Sequence, residues 1–121
     1  MGKRILIVDD DPGVCNSLAI LFRGEGYCVD ATTDSENAAG MITGNRYDVC
    51  LFDYKMYGLS GADLLRIAKK ANPLCPVFII SGMLNIDKVC NKKTPSGMAD
   101  GIISKPFDVE TLLRRIESSV S

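Results

Sequence analysis

The sequence predicts an α/β fold, a parallel sheet with helices on both faces. Three observations carry that reading. Runs of consecutive apolar residues recur at 5–8, 49–52, 77–80 and, more briefly, 102–103. A strand that is apolar throughout suits a sheet covered on both sides. Segments with apolar residues at helical spacing separate the runs, so strand and helix alternate along the chain, the pattern of a sheet wound by right-handed crossovers. The runs also end on polar groups, where such strands would leave the sheet.

Taken in order, residues 5–8 form the first strand. Asp11 is placed to cap the next helix, and Pro12 suits its first turn. Val14, Leu18, Leu21 and Phe22 share one face of that helix, and Gly24 and Gly26 stop it. Val29 and Ala31 alternate with Cys28 and Asp30 in a short second strand. Asp34 or Ser35 caps a second helix carrying Ala38, Met41 and Ile42, ended by Gly44. The central strand, 48–52, runs directly into Asp53. A loop containing Gly58 leads to a third helix at 61–70, with Leu64, Leu65 and Ala68 inward, broken by Asn72 and Pro73. The fourth strand, 77–80, ends on Ser81 and Gly82. Residues 84–93 make a poor helix, and Thr94, Pro95, Ser96 and Gly97 break the chain again before the last strand. Ile102 and Ile103 form that strand, ahead of Ser104, Lys105 and Pro106. Asp108 caps a final helix with the stripe Val109, Leu112, Leu113, Ile116 and Val120.

The composition sets bounds on function. At 121 residues, 46% hydrophobic and 24% charged, the chain suits one globular domain over 1–121. A net charge of −1 gives no support to direct nucleic acid binding or to an anionic membrane. The absence of histidine removes Cys/His zinc sites, histidine bases and Ser-His-Asp triads. Five cysteines, an odd number without a CxxC pair, read as reduced, buried or half-buried thiols. Lys3 and Arg4 precede only four apolar residues, too few for a secretory signal, and no stretch has the length of a membrane span. Leu6 stands where a myristoylation motif needs Ser or Thr. The expectation is a soluble, cytoplasmic protein with no membrane contact.

The chemistry lies at the strand ends. The first strand delivers Asp9, Asp10 and Asp11, the third Asp53, the fourth Ser81 and the fifth Lys105; the second delivers only Thr32 and Thr33. In an open α/β sheet these positions share the carboxyl edge, where ligands bind. Singly, the acids read as a helix start and a turn, Ser81 as a cap and Lys105 as a surface lysine. Together they converge several carboxylates, a hydroxyl and an ammonium. Mutually repelling carboxylates call for a hard dication, and Mg²⁺ takes such oxygens. With it, Asp53 becomes a plausible nucleophile toward phosphorus, and transfer then depends on positioning and charge neutralisation. Lys105 and Ser81 are suited to two phosphoryl oxygens. Pro106 raises the chance of a cis bond after Lys105.

These residues closely resemble the receiver domain of two-component response regulators over essentially the whole chain. Residues 5–11 look like the family's first strand and acidic pair. Asp53, Tyr54, Lys55 and Met56, followed by Ser60 and Gly61, look like its phosphorylation strand and loop. Residues 79–82 look like its fourth strand and hydroxyl, and Lys105, Pro106 and Phe107 like its lysine-proline element, usually cis. The resemblance implies a flavodoxin-like five-stranded sheet in the order 2-1-3-4-5. It implies that Asp53 accepts a phosphoryl group from a sensor histidine kinase or phosphotransfer protein. Asp10, Asp53 and the Lys55 carbonyl would ligate Mg²⁺, and Asp9 would act through water. Ser81 and Lys105 would contact the phosphoryl group and relay the change to an output domain or target protein. It implies no enzyme in the ordinary sense, but an acceptor that assists its own phosphorylation and dephosphorylation.

Three departures stand out. Tyr57 occupies a usual proline position, Ile102 replaces the aromatic three residues before the lysine, and the fourth-helix region carries 94–97. Lys55 and Met83, two residues past Asp53 and Ser81, stand where the family tunes phosphate loss. The first helix and the site loops would dock the kinase, the helix showing Cys15, Asn16 and Arg23; Lys88, Lys92, Lys93, Arg114 and Arg115 outline a candidate basic output face. The alternative is a pseudo-receiver, an interaction module that does not use Asp53. An aspartyl phosphatase fits less well, because Tyr54 and Lys55 follow Asp53 where a second acid is expected. A flavodoxin-like cofactor binder lacks its glycine-rich phosphate loop.

Overall fold

Each apolar run does form a strand, and the strands pair into one parallel sheet in the order β2-β1-β3-β4-β5. The structure, a computed structural model, describes residues 2–82 and 99–120. The strands are β1 Arg4–Val8, β2 Cys28–Thr32, β3 Val49–Asp53, β4 Val77–Ser81 and β5 Gly101–Ser104. The described helices are α1 Pro12–Gly24, α2 Ser35–Gly44, α3 Gly61–Ala71 and α4 Val109–Val120. The expected Met83, Lys88, Lys92, Lys93 and 94–97 features lie outside the described residues.

Strand alternation splits the core into two layers. Leu6, Val8, Cys50, Phe52, Val77 and Ile79 face α2 and α3, joining Ala38, Ile42, Leu64, Leu65 and Ala68. Ile5, Ile7, Val49, Leu51, Phe78 and Ile80 face α1 and α4, joining Leu18, Phe22, Leu112 and Ile116. β1, β3 and β4 therefore carry apolar side chains on both faces. Edge strand β2 is only partly buried.

Local signals set the helix starts. The Asp11 side chain accepts from the amides of Gly13 (2.9 Å) and Val14 (3.4 Å), and Asp34 caps α2 through Glu36 (2.9 Å) and Asn37 (3.2 Å). At α3, Ser60 and Asp63 form a reciprocal capping box. Three expectations need correction. Cys15 is buried rather than displayed, its thiol facing the Thr32 carbonyl at 3.7 Å; the buried face of α1 is centred on Cys15, Leu18 and Phe22, a thiol packing there as a small apolar group. Cys28 is exposed because it opens an edge strand. Val109 is 47% exposed because it starts α4 before that helix settles on the sheet.

Candidate functional site

The site grows from the alternation that builds the core. Asp9 and Asp53 continue the series Ile5, Ile7 and Val49, Leu51, so they leave the carboxyl edge on one side of the sheet. Asp53 is the last residue of β3, where the Tyr54 amide still bonds the Ile80 carbonyl at 2.8 Å. Asp9 comes directly after β1, its amide donating to the Thr32 carbonyl at 3.3 Å. Both are nearly closed to solvent, Asp9 at 2% and Asp53 at 6% exposure, whereas Asp10 is exposed.

One carboxylate oxygen from each of Asp9, Asp10 and Asp53 lies within 4.8 Å of the others. Lys105 reaches this group across the sheet edge, its Nζ 3.2 Å from Asp53 Oδ1 and 4.0 Å from Asp9 Oδ2. Asp9 Oδ1 accepts from the Asp11 amide at 2.9 Å, but Asp9 Oδ2 is buried with no hydrogen-bond donor among the described residues. Burial, reinforced by the neighbouring Asp53 and Asp10 charges, pushes the Asp9 carboxyl up to about 6 against the pull of the Asp11 amide and Lys105.

Ser81 ends β4, almost fully buried, and its carbonyl accepts from the Lys105 amide at 2.8 Å, so the two predicted phosphate contacts share a main-chain bond. The bond between Lys105 and Pro106 is cis. Lys55 lies in the bend after β3 with its side chain exposed. Ile102 is partly buried against the α2/α3 core. Arg115 does not extend freely from the candidate basic face: its Nη1 donates to the Ile102 carbonyl at 2.8 Å, and its guanidinium lies 5.8 Å from the Phe78 ring centre. Asn16 and Arg23 are exposed on α1 as expected.

Sequence reasoning missed the residues that shape the loop after Asp53. Ser35, buried at the start of α2, donates to the Tyr57 carbonyl (3.0 Å) and accepts from the Leu59 amide (2.9 Å), bridging Gly58. Gly58 has φ +86°, a left-handed conformation that a side chain disfavours. At Gly61, a Cβ would meet the Asp53 carbonyl oxygen at 2.6 Å, so only glycine lets α3 approach the end of β3 this closely. The glycines were visible in the sequence, but Ser35 was visible only as a cap.

The family model for the response regulator receiver domain matches residues 5–117. The cell cycle transcriptional regulator CtrA of Caulobacter vibrioides is 31% identical over 117 residues, covering 97% of this chain and 50% of that protein. The chain thus spans about half the length of the curated relatives it matches. A CheY-like receiver domain from Methanospirillum hungatei superposes with a TM-score of 0.90 at 28% identity, covering 99% of this chain and 94% of that one. The response regulator TrrA of Thermotoga maritima, solved in complex with Mg²⁺ and BeF, superposes at 0.85 with 25% identity, covering 97% and 98%. With the 2-1-3-4-5 sheet and the acidic group at its carboxyl edge, these matches establish that this chain belongs to the response regulator receiver domain family of two-component systems.

Proposed function

We propose that this domain is a phosphorylation-dependent switch in which Asp53 accepts a phosphoryl group from a phosphohistidine on a sensor kinase or phosphotransfer protein. The carrying observation is the convergence of the Asp9, Asp10 and Asp53 oxygens within 4.8 Å under the Lys105 ammonium. A buried, donorless Asp9 oxygen beside two further carboxylates suits a hard cation bound by oxygen. Asp10, Asp53 and the Lys55 carbonyl would hold Mg²⁺, with Asp9 acting through water. The ion would supply positive charge toward the carboxylates and the phosphoryl oxygens.

The Asp53 carboxylate, held at a strand end, offers its oxygen to phosphorus as the bond to imidazole nitrogen breaks. Lys105, 3.2 Å from Asp53 Oδ1, would neutralise charge on the transferred group, and Ser81, at the end of the neighbouring strand, would contact another phosphoryl oxygen. The chain thereby assists its own phosphorylation and dephosphorylation, with no separate substrate to turn over. The phosphoryl group would bias two conformations of the domain toward an output domain or target protein. The domain itself would contact neither nucleic acid nor a membrane. No helix among the described residues is long and apolar enough to cross a membrane, and a cytoplasmic setting fits the kinase partner.

Intact mass after incubation with Mg²⁺ and a small phosphodonor tests the reading. We expect one phosphoryl adduct, dependent on Mg²⁺ and lost in Asp53→Asn. A folded protein without adduct across several donors would replace this reading with the interaction module that leaves Asp53 unused.

A further inference from the structure

At the amino end of the sheet, away from the acids, two thiols face each other in the α2/α3 core. Cys50 lies in β3 and Cys75 just ahead of β4, where the Cys50 amide donates to the Pro76 carbonyl at 3.0 Å. Their Sγ atoms are 3.9 Å apart although 25 residues separate them in sequence. A disulfide needs about 2.05 Å between sulfurs. Both thiols line a cleft of about 210 Å³ together with Ile42, Arg46, Tyr47 and Asn72, ample for a molecule the size of two waters. Lys69 fixes the rim, its Nζ donating to the Cys75 carbonyl at 2.8 Å and pairing with Asp100 at 2.8 Å.

We propose that Cys50 and Cys75 form a peroxide-responsive dithiol, closed to a disulfide within the folded domain by a small hydroperoxide that enters this cleft. Cys75 is the attacking sulfur because it is the less buried of the two, 5% exposed against 1% for Cys50. The hydrogen bond with Cys50 and the Lys69 charge lower its pKa, against burial and the Asp100 and Asp48 charges. Cys50 is held protonated by the same hydrogen bond and by its burial. The Cys75 thiolate attacks one peroxide oxygen; the O–O bond breaks, and the departing hydroxide leaves as water after taking up one proton. Sulfur is oxidised to the sulfenic acid as the peroxide is reduced. Cys50 then loses its proton and attacks the Cys75 sulfur. The S–O bond breaks and a second water leaves. Two thiols and one hydrogen peroxide thus give one disulfide and two waters. The fold and the sulfur geometry carry this proposal, independently of phosphorylation at Asp53.

The test is treatment of the native protein with hydrogen peroxide, then alkylation of remaining thiols, intact mass and peptide mapping. We expect loss of two hydrogens, a Cys50–Cys75 crosslinked peptide, reversal by dithiothreitol, and persistence of the crosslink when Cys28→Ser and Cys90→Ser are both present. In Cys50→Ser, oxidation should stop at Cys75 with one added oxygen that dimedone traps; in Cys75→Ser, the site should stay reduced. Mapping the unmutated protein remains decisive if a serine variant fails to fold. Oxidation confined to Cys28 or Cys90, with Cys50 and Cys75 still alkylated, would overturn the proposal. So would a Cys50–Cys75 link that forms only in urea.

Discussion

Asp9 sits beside two other carboxylates, with one oxygen buried and unserved by any donor among the described residues. Its carboxyl lies at about 6 in the folded chain, against 3.8 ordinarily, chiefly through burial. Between those values the native protein binds more protons than the unfolded chain, so raising the pH through this window costs the metal-free protein stability. Asp9→Asn removes that cost while its amide oxygen can still accept from the Asp11 amide. We expect Asp9→Asn to be more stable than the parent by about 1–3 kcal/mol at pH 7 without metal, the difference vanishing as pH falls toward about 4. Urea melts of both proteins across that range give the comparison. Ser35 shows the opposite logic. Removing its hydroxyl strands the Leu59 amide and the Tyr57 carbonyl. Ser35→Ala should cost about 1–3 kcal/mol in the same melts, and an unchanged midpoint would mean that water takes over both bonds. Asp9, Asp53 and Lys105 were legible because each stands just past an apolar strand. Ser35 was not, because its partners lie 22 and 24 residues away and only folding brings them close.

At the scale of elements, α3 is held at two points. Its start is capped reciprocally by Ser60 and Asp63, and its first residue, Gly61, passes against the Asp53 carbonyl. Ser60→Ala should cost about 1 kcal/mol as a lost cap. Gly61→Ala should cost about 1–3 kcal/mol, because the added carbon would sit 2.6 Å from backbone that cannot swing aside. It should also slow phosphoryl uptake, which the cap variant should leave nearly intact; equal uptake in both would separate the loop from the chemistry. The helices and strands themselves were readable from apolar spacing and caps. The rotation of α1 was not, because Cys15 carries the polarity of neither class clearly and packs as a small apolar group beneath Thr32. Nor was the tether of Arg115, which needs β5 and α4 side by side, with Gly101 leaving room for the guanidinium over Phe78.

For the whole molecule, two apolar layers anchor a sheet whose carboxyl edge concentrates negative charge. Its parallel order was expected from the family resemblance and is the one observed. Because the acids belong to the native arrangement, a cation that binds them must stabilise the fold. At 100 times its dissociation constant, Mg²⁺ should add about 2.7 kcal/mol; Asp53→Asn should lose most of that gain, and thermal melts with and without the ion read the difference. The central claim, that Asp53 is the phosphoryl acceptor, is tested most directly by borohydride reduction after exposure to Mg²⁺ and a small phosphodonor, with peptide sequencing by mass as the readout. An acyl phosphate at Asp53 would be reduced to homoserine at that position and nowhere else. Homoserine at position 9 or 10, or none despite a phosphoryl adduct, would contradict the assignment.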